Sequence, residues 1–277
     1  MNRIDQTFRA LAERGRKALV PYVTAGHPHP EATVEILHAA VEAGADLLEL
    51  GMPFSDVMAD GPVIQNACEK ALQHGTNLDA VLEMVRQFRA RDAVTPVILM
   101  GYTNPIERRG VKKFASEAAE AGVDALLVVD CPADEADDLR AELAGHDLHQ
   151  IFLVAPTTTD HRLQRMTRLA GGFVYYVSIK GVTGAASLDV STLGPAVERI
   201  RAAAALPVAV GFGIREPEQA AEAARVADAV VIGSALVDRL DRCDTTSAAV
   251  AETRAYLSGV RAALDEVGAE RKAVANG

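Results

Sequence analysis

The chain has 277 residues, with 28 Lys and Arg against 38 Asp and Glu, so its formal net charge at pH 7 is -10. Hydrophobic residues make up 49% of the chain and charged residues 24%, which excludes disordered and collagen-like proteins. The acidic balance argues against non-specific binding to nucleic acid or to anionic membranes, because both require clustered Lys and Arg.

The three cysteines lie far apart, at Cys68, Cys131 and Cys243. Their odd number and the absence of CxxC spacing predict neither a disulfide framework nor a zinc site, and favour a reducing compartment. The first residues lack the apolar core of a signal peptide, and no run of about 18 apolar residues occurs. We therefore expect a cytoplasmic protein.

In chain order, a first amphipathic segment with Ile4, Phe8 and Leu11 on one face predicts an N-terminal helix. Eight apolar runs follow, at 18–26, 45–54, 95–102, 123–130, 148–156, 172–179, 206–214 and 227–237. They are continuous rather than alternating, which is typical of parallel strands covered on both faces, and segments of helical period separate them.

Eight strands separated by helices predict an α/β fold, a (β/α)8 TIM barrel over residues 1–268 with an extra N-terminal helix. The polar tail, 269–277, is expected to fray. An open doubly wound sheet is the alternative, but the Gly-x-Gly-x-x-Gly turn expected after its first strand is absent. Segments ending at Asp46, Asp124 and Asp228 each join a helix to the next strand and form a weak internal repeat.

Two connections are longer than the repeat requires, and both leave the carboxyl ends of strands, where barrel enzymes place their chemistry. The one after the second strand predicts helices from about Pro62 to Gln73 and from Leu78 to Arg91. The one after the sixth strand contains Lys180–Ser187, which is rich in small residues.

Glycines at the ends of the last two strands predict a phosphate site. The seventh strand ends in Gly211-Phe212-Gly213, and the eighth ends in Gly233-Ser234 before a short helix. Loops at these positions commonly bind phosphate in TIM barrels, because glycines let the backbone approach and a helix N-terminus offers free N–H groups. The alternative is that these glycines serve only to make tight turns.

Carboxylates at strand ends are the candidates for catalysis. Glu49 lies within an apolar strand, where alternation places it in the barrel interior with Leu47. Burial there would raise its pKa towards neutrality and suit it to proton transfer, although a buried carboxylate bound by backbone donors is the alternative. Asp60 is equally well explained as the N-cap of the helix that starts at Pro62. Asp56 and Asp130 are interpreted as loop and turn residues.

Other catalytic devices find little support in the sequence. The histidines show no spacing of metal ligands, no strand interior carries a lysine, and Ser234 lacks an evident histidine partner. The sequence therefore favours general acid–base chemistry, in which carboxylates act on a phosphorylated substrate. Aromatic and Met side chains at strand ends favour a flat apolar pocket, at Tyr22, Met100, Tyr102, Tyr175 and Phe212.

Five motifs together resemble the tryptophan synthase alpha chain family. They are Pro53-Phe-Ser-Asp56, Ala59-Asp-Gly-Pro62, Gly101-Tyr-Thr-Asn-Pro105, Gly181-Val-Thr-Gly184 and Gly211-Phe-Gly-Ile214. The resemblance extends to about residue 266. It implies a (β/α)8 barrel that cleaves indole-3-glycerol phosphate to indole and glyceraldehyde 3-phosphate. It also implies no cofactor on this chain and a pyridoxal-phosphate-bearing beta chain partner in an alpha2-beta2 tetramer.

The resemblance also assigns roles to residues at matching positions. Glu49 matches the acid–base carboxylate, Asp60 the carboxylate that bonds the indole N–H, and Thr183 a loop residue that closes onto Asp60. The phosphate cradle corresponds to Gly184, Gly213, Gly233 and Ser234. The indole pocket corresponds to Tyr22, Ile64, Met100, Leu127, Tyr175 and Phe212. Pro53 and Asp56 match the loop that contacts the beta chain.

The sequence departs from the family pattern at Tyr22, His27, Val57 and Ile179-Lys180. Two rival functions remain open on the sequence alone. One is a Schiff-base aldolase acting on a sugar phosphate through Lys180, and the other is a barrel without catalysis that activates a partner.

Overall fold

A computed structural model describes residues 1–177, 190–211 and 213–275, with the backbone alone for 190–192 and 270–275. Eight parallel strands pair in sequence order and close into a barrel, which confirms the predicted fold. The strands are β1 Ala18–Thr24, β2 Leu48–Gly51, β3 Val97–Gly101, β4 Ala125–Val128, β5 His149–Val154, β6 Val174–Val177, β7 Val208–Gly211 and β8 Ala229–Ile232.

Helices connect successive strands and cover the outside of the barrel. The first six are α1 Arg3–Arg14, α2 Thr33–Glu42, α3 Pro62–Gln73, α4 Leu78–Arg89, α5 Thr103–Arg109 and α6 Val111–Ala121. The others in the described residues are α7 Asp137–Ala144, α8 Asp160–Leu169, α9 Val190–Ala203, α10 Pro217–Val226, α11 Ser234–Leu240 and α12 Thr246–Ala275. A short 3-10 helix, Pro30–Ala32, precedes α2.

The strands are shorter than the apolar runs predict. The run 45–54 contains only four strand residues, because its ends turn towards a helix on one side and a loop on the other. Apolar residues of this run outside the ladder, such as Leu47 and Met52, are still buried, so hydrophobicity does not mark where strand pairing stops. The predicted bounds of α3 are confirmed, whereas α4 ends at Arg89 rather than Arg91.

Alternate residues of each strand fill the barrel interior. Leu47 lies in the interior cluster, and Glu49, two residues on, pairs with Tyr22 of β1 and Ile98 of β3. Helix α1 closes the amino-terminal end of this interior, where the Phe8 ring lies 5.6 Å from that of Phe173. The opposite end, at the carboxyl ends of the strands, is therefore the one left for a substrate.

The internal repeat of the sequence corresponds to a repeated hydrogen bond. Asp46, Asp124 and Asp228 each accept a bond from a backbone N–H of the preceding strand. The donors are Leu19, Val97 and Val208, at 2.9, 2.8 and 3.0 Å. Each carboxylate also contacts an arginine: Arg261, Arg89 and Arg201 respectively. These carboxylates tie neighbouring strands together at the end of the barrel opposite the proposed chemistry.

Helix α12 continues to Ala275, past the boundary at 268 that the sequence predicts. Gly268 lies so close to the turn after α1 that a β-carbon there would be 3.0 Å from the carbonyl oxygen of Gly15. Fraying of the tail beyond it stays a prediction. Among the described residues, no helix is long and apolar enough to cross a membrane.

Candidate active site

Glu49 is the most deeply placed carboxyl group of the candidate site. Its side chain points into the barrel interior from β2, and the residue is only 2% exposed. Burial, reinforced by the negative charge of Asp60, raises the pKa of Glu49 from its ordinary 4.5 to about 8. A group with that pKa holds its proton at neutral pH and releases it readily, which suits general acid–base catalysis.

Asp60 lies in the connection between β2 and α3. Its Oδ2 atom accepts a 2.6 Å hydrogen bond from the hydroxyl of Tyr102, and that hydroxyl accepts a 3.2 Å bond from the Ala59 N–H. Burial raises the pKa of Asp60, and the bond from Tyr102 acts in the opposite direction. The N-cap of α3 is Gly61, and no side chain caps the helix there. The N-cap interpretation of Asp60 is therefore wrong.

The hydrogen bond from Tyr102 to Asp60 was not predicted from the sequence, in which Tyr102 was only one of several aromatic residues at strand ends. Tyr102 follows β3 directly and is 3% exposed. The signal available was its position at the carboxyl end of a strand, but its partner lies 42 residues earlier in the chain. Asp130, by contrast, accepts bonds from the backbone N–H and hydroxyl of Thr103 and so fills the structural role that the sequence suggested.

The predicted apolar pocket falls in two clusters that share Met100. Tyr22 and Ile64 belong to one cluster, and Leu127 and Tyr175 to the other. The Tyr22 hydroxyl, the departure from the family pattern, lies 3.2 Å from Thr24 Oγ1. It also lies against Gly51, where a β-carbon would be 2.1 Å from the hydroxyl oxygen. Gly51 therefore makes room for the tyrosine beside Glu49.

The candidate phosphate residues lie after β7 and β8. Gly213 is exposed with a φ of +73°, a conformation that favours glycine. Gly233 is the N-cap of α11, and Ser234 is its first residue. Backbone N–H groups at the start of α11 lack partners within the helix. Four residues given a functional role from the sequence lie outside the described residues: Lys180, Thr183, Gly184 and Phe212.

Comparison with known proteins identifies the family. The family model described as tryptophan synthase alpha chain matches residues 8–265. The chain belongs to the tryptophan synthase alpha chain family. It is 53% identical over 268 residues to the alpha chain of Marinobacter nauticus, covering 96% of this chain and 99% of that one. It is 54% identical over 265 residues to that of Burkholderia thailandensis, covering 96% and 97%.

Solved structures agree with this assignment. The crystal structure of tryptophan synthase subunit alpha from Legionella pneumophila strain Paris is 45% identical, with a TM-score of 0.89 over 96% of this chain and 99% of that one. The tryptophan synthase of Mycobacterium tuberculosis, in an open form with BRD0059 bound, is 34% identical, with a TM-score of 0.84 over 95% and 99%.

Membership of the tryptophan synthase alpha chain family fixes the reaction. The chain is a carbon–carbon lyase of tryptophan biosynthesis that cleaves indole-3-glycerol phosphate to indole and glyceraldehyde 3-phosphate. The family implies a beta chain partner, and its alpha chains carry no cofactor of their own. This identity decides against both rival functions, the Schiff-base aldolase and the non-catalytic activator.

The two residues predicted to contact the beta chain differ in exposure. Pro53 is buried, whereas Asp56 is exposed. Between them the Phe54 ring lies 5.8 Å from that of Tyr102, so this loop packs directly on the tyrosine that is hydrogen-bonded to Asp60. Met58 of the same loop is 77% exposed, beside an open groove of about 700 Å³ lined by Phe54, Ser55, Asp56, Val57, Met58, Gln65, Glu69, Leu72 and Gln73.

Proposed function

We propose that Glu49 and Asp60 divide the chemistry of indole-3-glycerol phosphate cleavage. The observation that carries the proposal is the buried Glu49 carboxyl group, with its pKa of about 8, close enough to Asp60 to be raised by its charge. Glu49 moves protons between the indole C3 and the glyceryl hydroxyl. Asp60 accepts the indole N1–H and stabilises the positive charge that develops there.

The substrate itself supplies the electron sink. Protonation at C3 gives an indoleninium, whose C=N bond accepts the electrons of the breaking carbon–carbon bond. Deprotonation of the glyceryl hydroxyl lets its carbon become the aldehyde of glyceraldehyde 3-phosphate. Two carboxyl groups are therefore sufficient, and neither a lysine Schiff base nor a Lewis acid is needed to accept those electrons.

We propose that the phosphate is held by backbone N–H groups around Gly184, Gly213, Gly233 and Ser234. The position of Gly233 and Ser234 at the start of α11 supports this, since the helix dipole favours an anion there. The indole ring would lie among Tyr22, Ile64, Met100, Leu127, Tyr175 and Phe212, with Thr183 closing onto Asp60. A crystal soaked with a substrate analogue would contradict the cradle if its phosphate bound elsewhere or chiefly to a basic side chain.

We further propose an alpha2-beta2 assembly in the cytoplasm, with pyridoxal phosphate on the beta chain. The exposed Asp56 and Met58 beside an open groove support a contact there, and the free cysteines are consistent with a reducing compartment. Because Phe54 packs on Tyr102, partner binding at this loop would act on Asp60. Closure of the loop that contains Thr183 and binding of the beta chain would then favour each other by the same free energy.

Release of indole from indole-3-glycerol phosphate tests these proposals. The chain by itself is expected to release indole slowly, and addition of a beta chain is expected to accelerate it substantially. Thr183→Val should reduce both the basal rate and the activation. Full activity of the isolated chain, unchanged by beta chain, would contradict the coupling and indicate a lyase that works alone.

A further inference from the structure

A cluster of polar side chains surrounds Asp241, the residue that follows α11. Asp241 Oδ1 lies 2.7 Å from both His27 Nε2 and Lys70 Nζ, and its Oδ2 accepts a 3.4 Å bond from the Asn66 amide. His27 belongs to the connection between β1 and α2, whereas Asn66 and Lys70 belong to α3. One carboxylate thus joins three separate parts of the barrel mouth.

The His27 ring is the most deeply buried part of this cluster. His27 is 1% exposed, and its Nδ1 atom is buried without a hydrogen-bond partner among the described residues. Burial lowers the pKa of His27, because removal from water disfavours the charged ring. In its neutral form the ring donates from Nε2 to Asp241 Oδ1. Burial opposes ionisation of Asp241, but the hydrogen bonds from Lys70 and His27 outweigh it and keep the pKa of Asp241 below its usual range.

This carboxylate does not stabilise α11 as an isolated helix. A negative charge at a helix C-terminus is opposed by the helix dipole. Asp241 lies at the C-terminal end of α11, which is only seven residues long, about 10 Å. Its contribution must therefore come from the contacts that it makes with other elements, which fix where α11 lies.

The two ends of α11 face different partners. Gly233 and Ser234 at its start are the proposed phosphate residues, and Asp241 at its end is bound to α3. Helix α3 in turn begins two residues after Asp60, and the Gln65 amide donates a 2.7 Å bond to the Asp60 carbonyl oxygen. A shift of α11 relative to α3 would change the spacing between the phosphate site and Asp60.

We propose that Asp241 is a positioning residue, which with His27 and Lys70 fixes α11 against α3 so that the phosphate site and Asp60 are correctly spaced. The inference rests on the proposed phosphate cradle. Asp241, His27 and Lys70 do not touch substrate in this scheme, so their loss should weaken phosphate binding more than the chemical step.

Glycerol 3-phosphate carries the phosphate without the ring and indole carries the ring without the phosphate, so the two ligands separate the two halves of the site. We expect Asp241→Ala to weaken glycerol 3-phosphate binding about fivefold or more, as measured by calorimetry, and to leave indole binding unchanged. Its KM for indole-3-glycerol phosphate should rise by more than its kcat falls.

Lys70 provides a milder second test, because its side chain is 41% exposed and we therefore expect its replacement to leave the fold intact. Lys70→Met should weaken glycerol 3-phosphate binding in the same direction, and Lys70→Arg should restore it. The matched control is Glu35→Ala, which breaks an exposed 2.6 Å ion pair with Arg91 elsewhere on the surface and should leave ligand binding unchanged.

Two outcomes separate this inference from the proposed function. If wild type binds glycerol 3-phosphate and cleaves substrate, but Asp241→Ala or Lys70→Met changes only the melting temperature, then the cluster is merely structural and the inference is overturned. If a crystal of the wild type shows glycerol 3-phosphate away from the start of α11, the phosphate cradle itself is wrong.

Discussion

Tyr102 orients Asp60: its hydroxyl donates a 2.6 Å hydrogen bond to Asp60 Oδ2, and the other carboxylate oxygen is the one that we propose accepts a substrate N–H. This bond stabilises the ionised form of Asp60 and opposes the effect of burial on its pKa. The connection between β2 and α3 and the end of β3 are thus joined through Asp60, the carboxylate that we propose stabilises charge at the indole N1.

Replacement of Tyr102 by Phe should raise the pKa of Asp60, because the donor that favours the carboxylate is lost. The acid limb of the kcat/KM profile should move to higher pH, and turnover should fall by about tenfold or more, the effect of one hydrogen bond to a charged group. Tyr256→Phe, which removes a 2.7 Å bond to the Arg215 carbonyl oxygen, is the control and should not move that limb. An unshifted acid limb in Tyr102→Phe would count against the assigned role of this bond.

Glu49→Gln should reduce cleavage by about 10²–10⁴-fold while leaving the fold and substrate binding intact, because the amide cannot transfer protons. Turnover measured as indole release, with binding of indole-3-glycerol phosphate measured by calorimetry, checks the prediction. Near-normal turnover would remove Glu49 from the mechanism.

Burial of Glu49 should also make stability depend on pH. Its pKa of about 8 in the folded chain lies above 4.5, its ordinary value, so the folded state holds the proton more tightly. The tighter binding of this proton contributes its full stabilisation to the folded state below pH 4.5. That contribution is lost as pH rises through 8.

Glu49→Gln does not titrate at this position, so it should gain stability relative to wild type between pH 5 and 9. The difference in unfolding free energy should grow by as much as about 5 kcal/mol. Urea titrations of both proteins across this range measure it. Parallel pH profiles for wild type and variant would mean that Glu49 is not buried with its proton.

Asp124→Ala should destabilise the barrel. Asp124 is 2% exposed and accepts bonds from Val97 N–H, Arg89 and Arg3 at 2.8, 2.7 and 2.9 Å. Its removal leaves a half-buried guanidinium without its anion, which costs about 3–5 kcal/mol and lowers Tm by roughly 10 °C in a domain of this size. Thermal unfolding followed by circular dichroism tests this, with Glu83→Ala at an exposed pair as the control. Equal melting temperatures would contradict a stabilising role for the repeated contact.

The sequence by itself determined the barrel and the position of Glu49. Continuous apolar runs require strands covered on both faces, and the two-residue period of a strand places Glu49 on the same side as Leu47. The start of α3 at Pro62 was also predictable from the local sequence, since proline is favoured in the first turn of a helix. The ends of the strands could not be predicted from the local sequence, because apolar residues beyond the ladder are buried as well.

Only the tertiary structure decided which polar groups meet. Tyr102 and Asp60 lie 42 residues apart and His27 and Asp241 lie 214 apart, so no local pattern links them. Each pair forms because closure of the barrel gathers the carboxyl ends of distant strands at one mouth. Residue type and spacing indicate where a side chain lies on its own element, but the hydrogen bond that it makes depends on how the elements pack together.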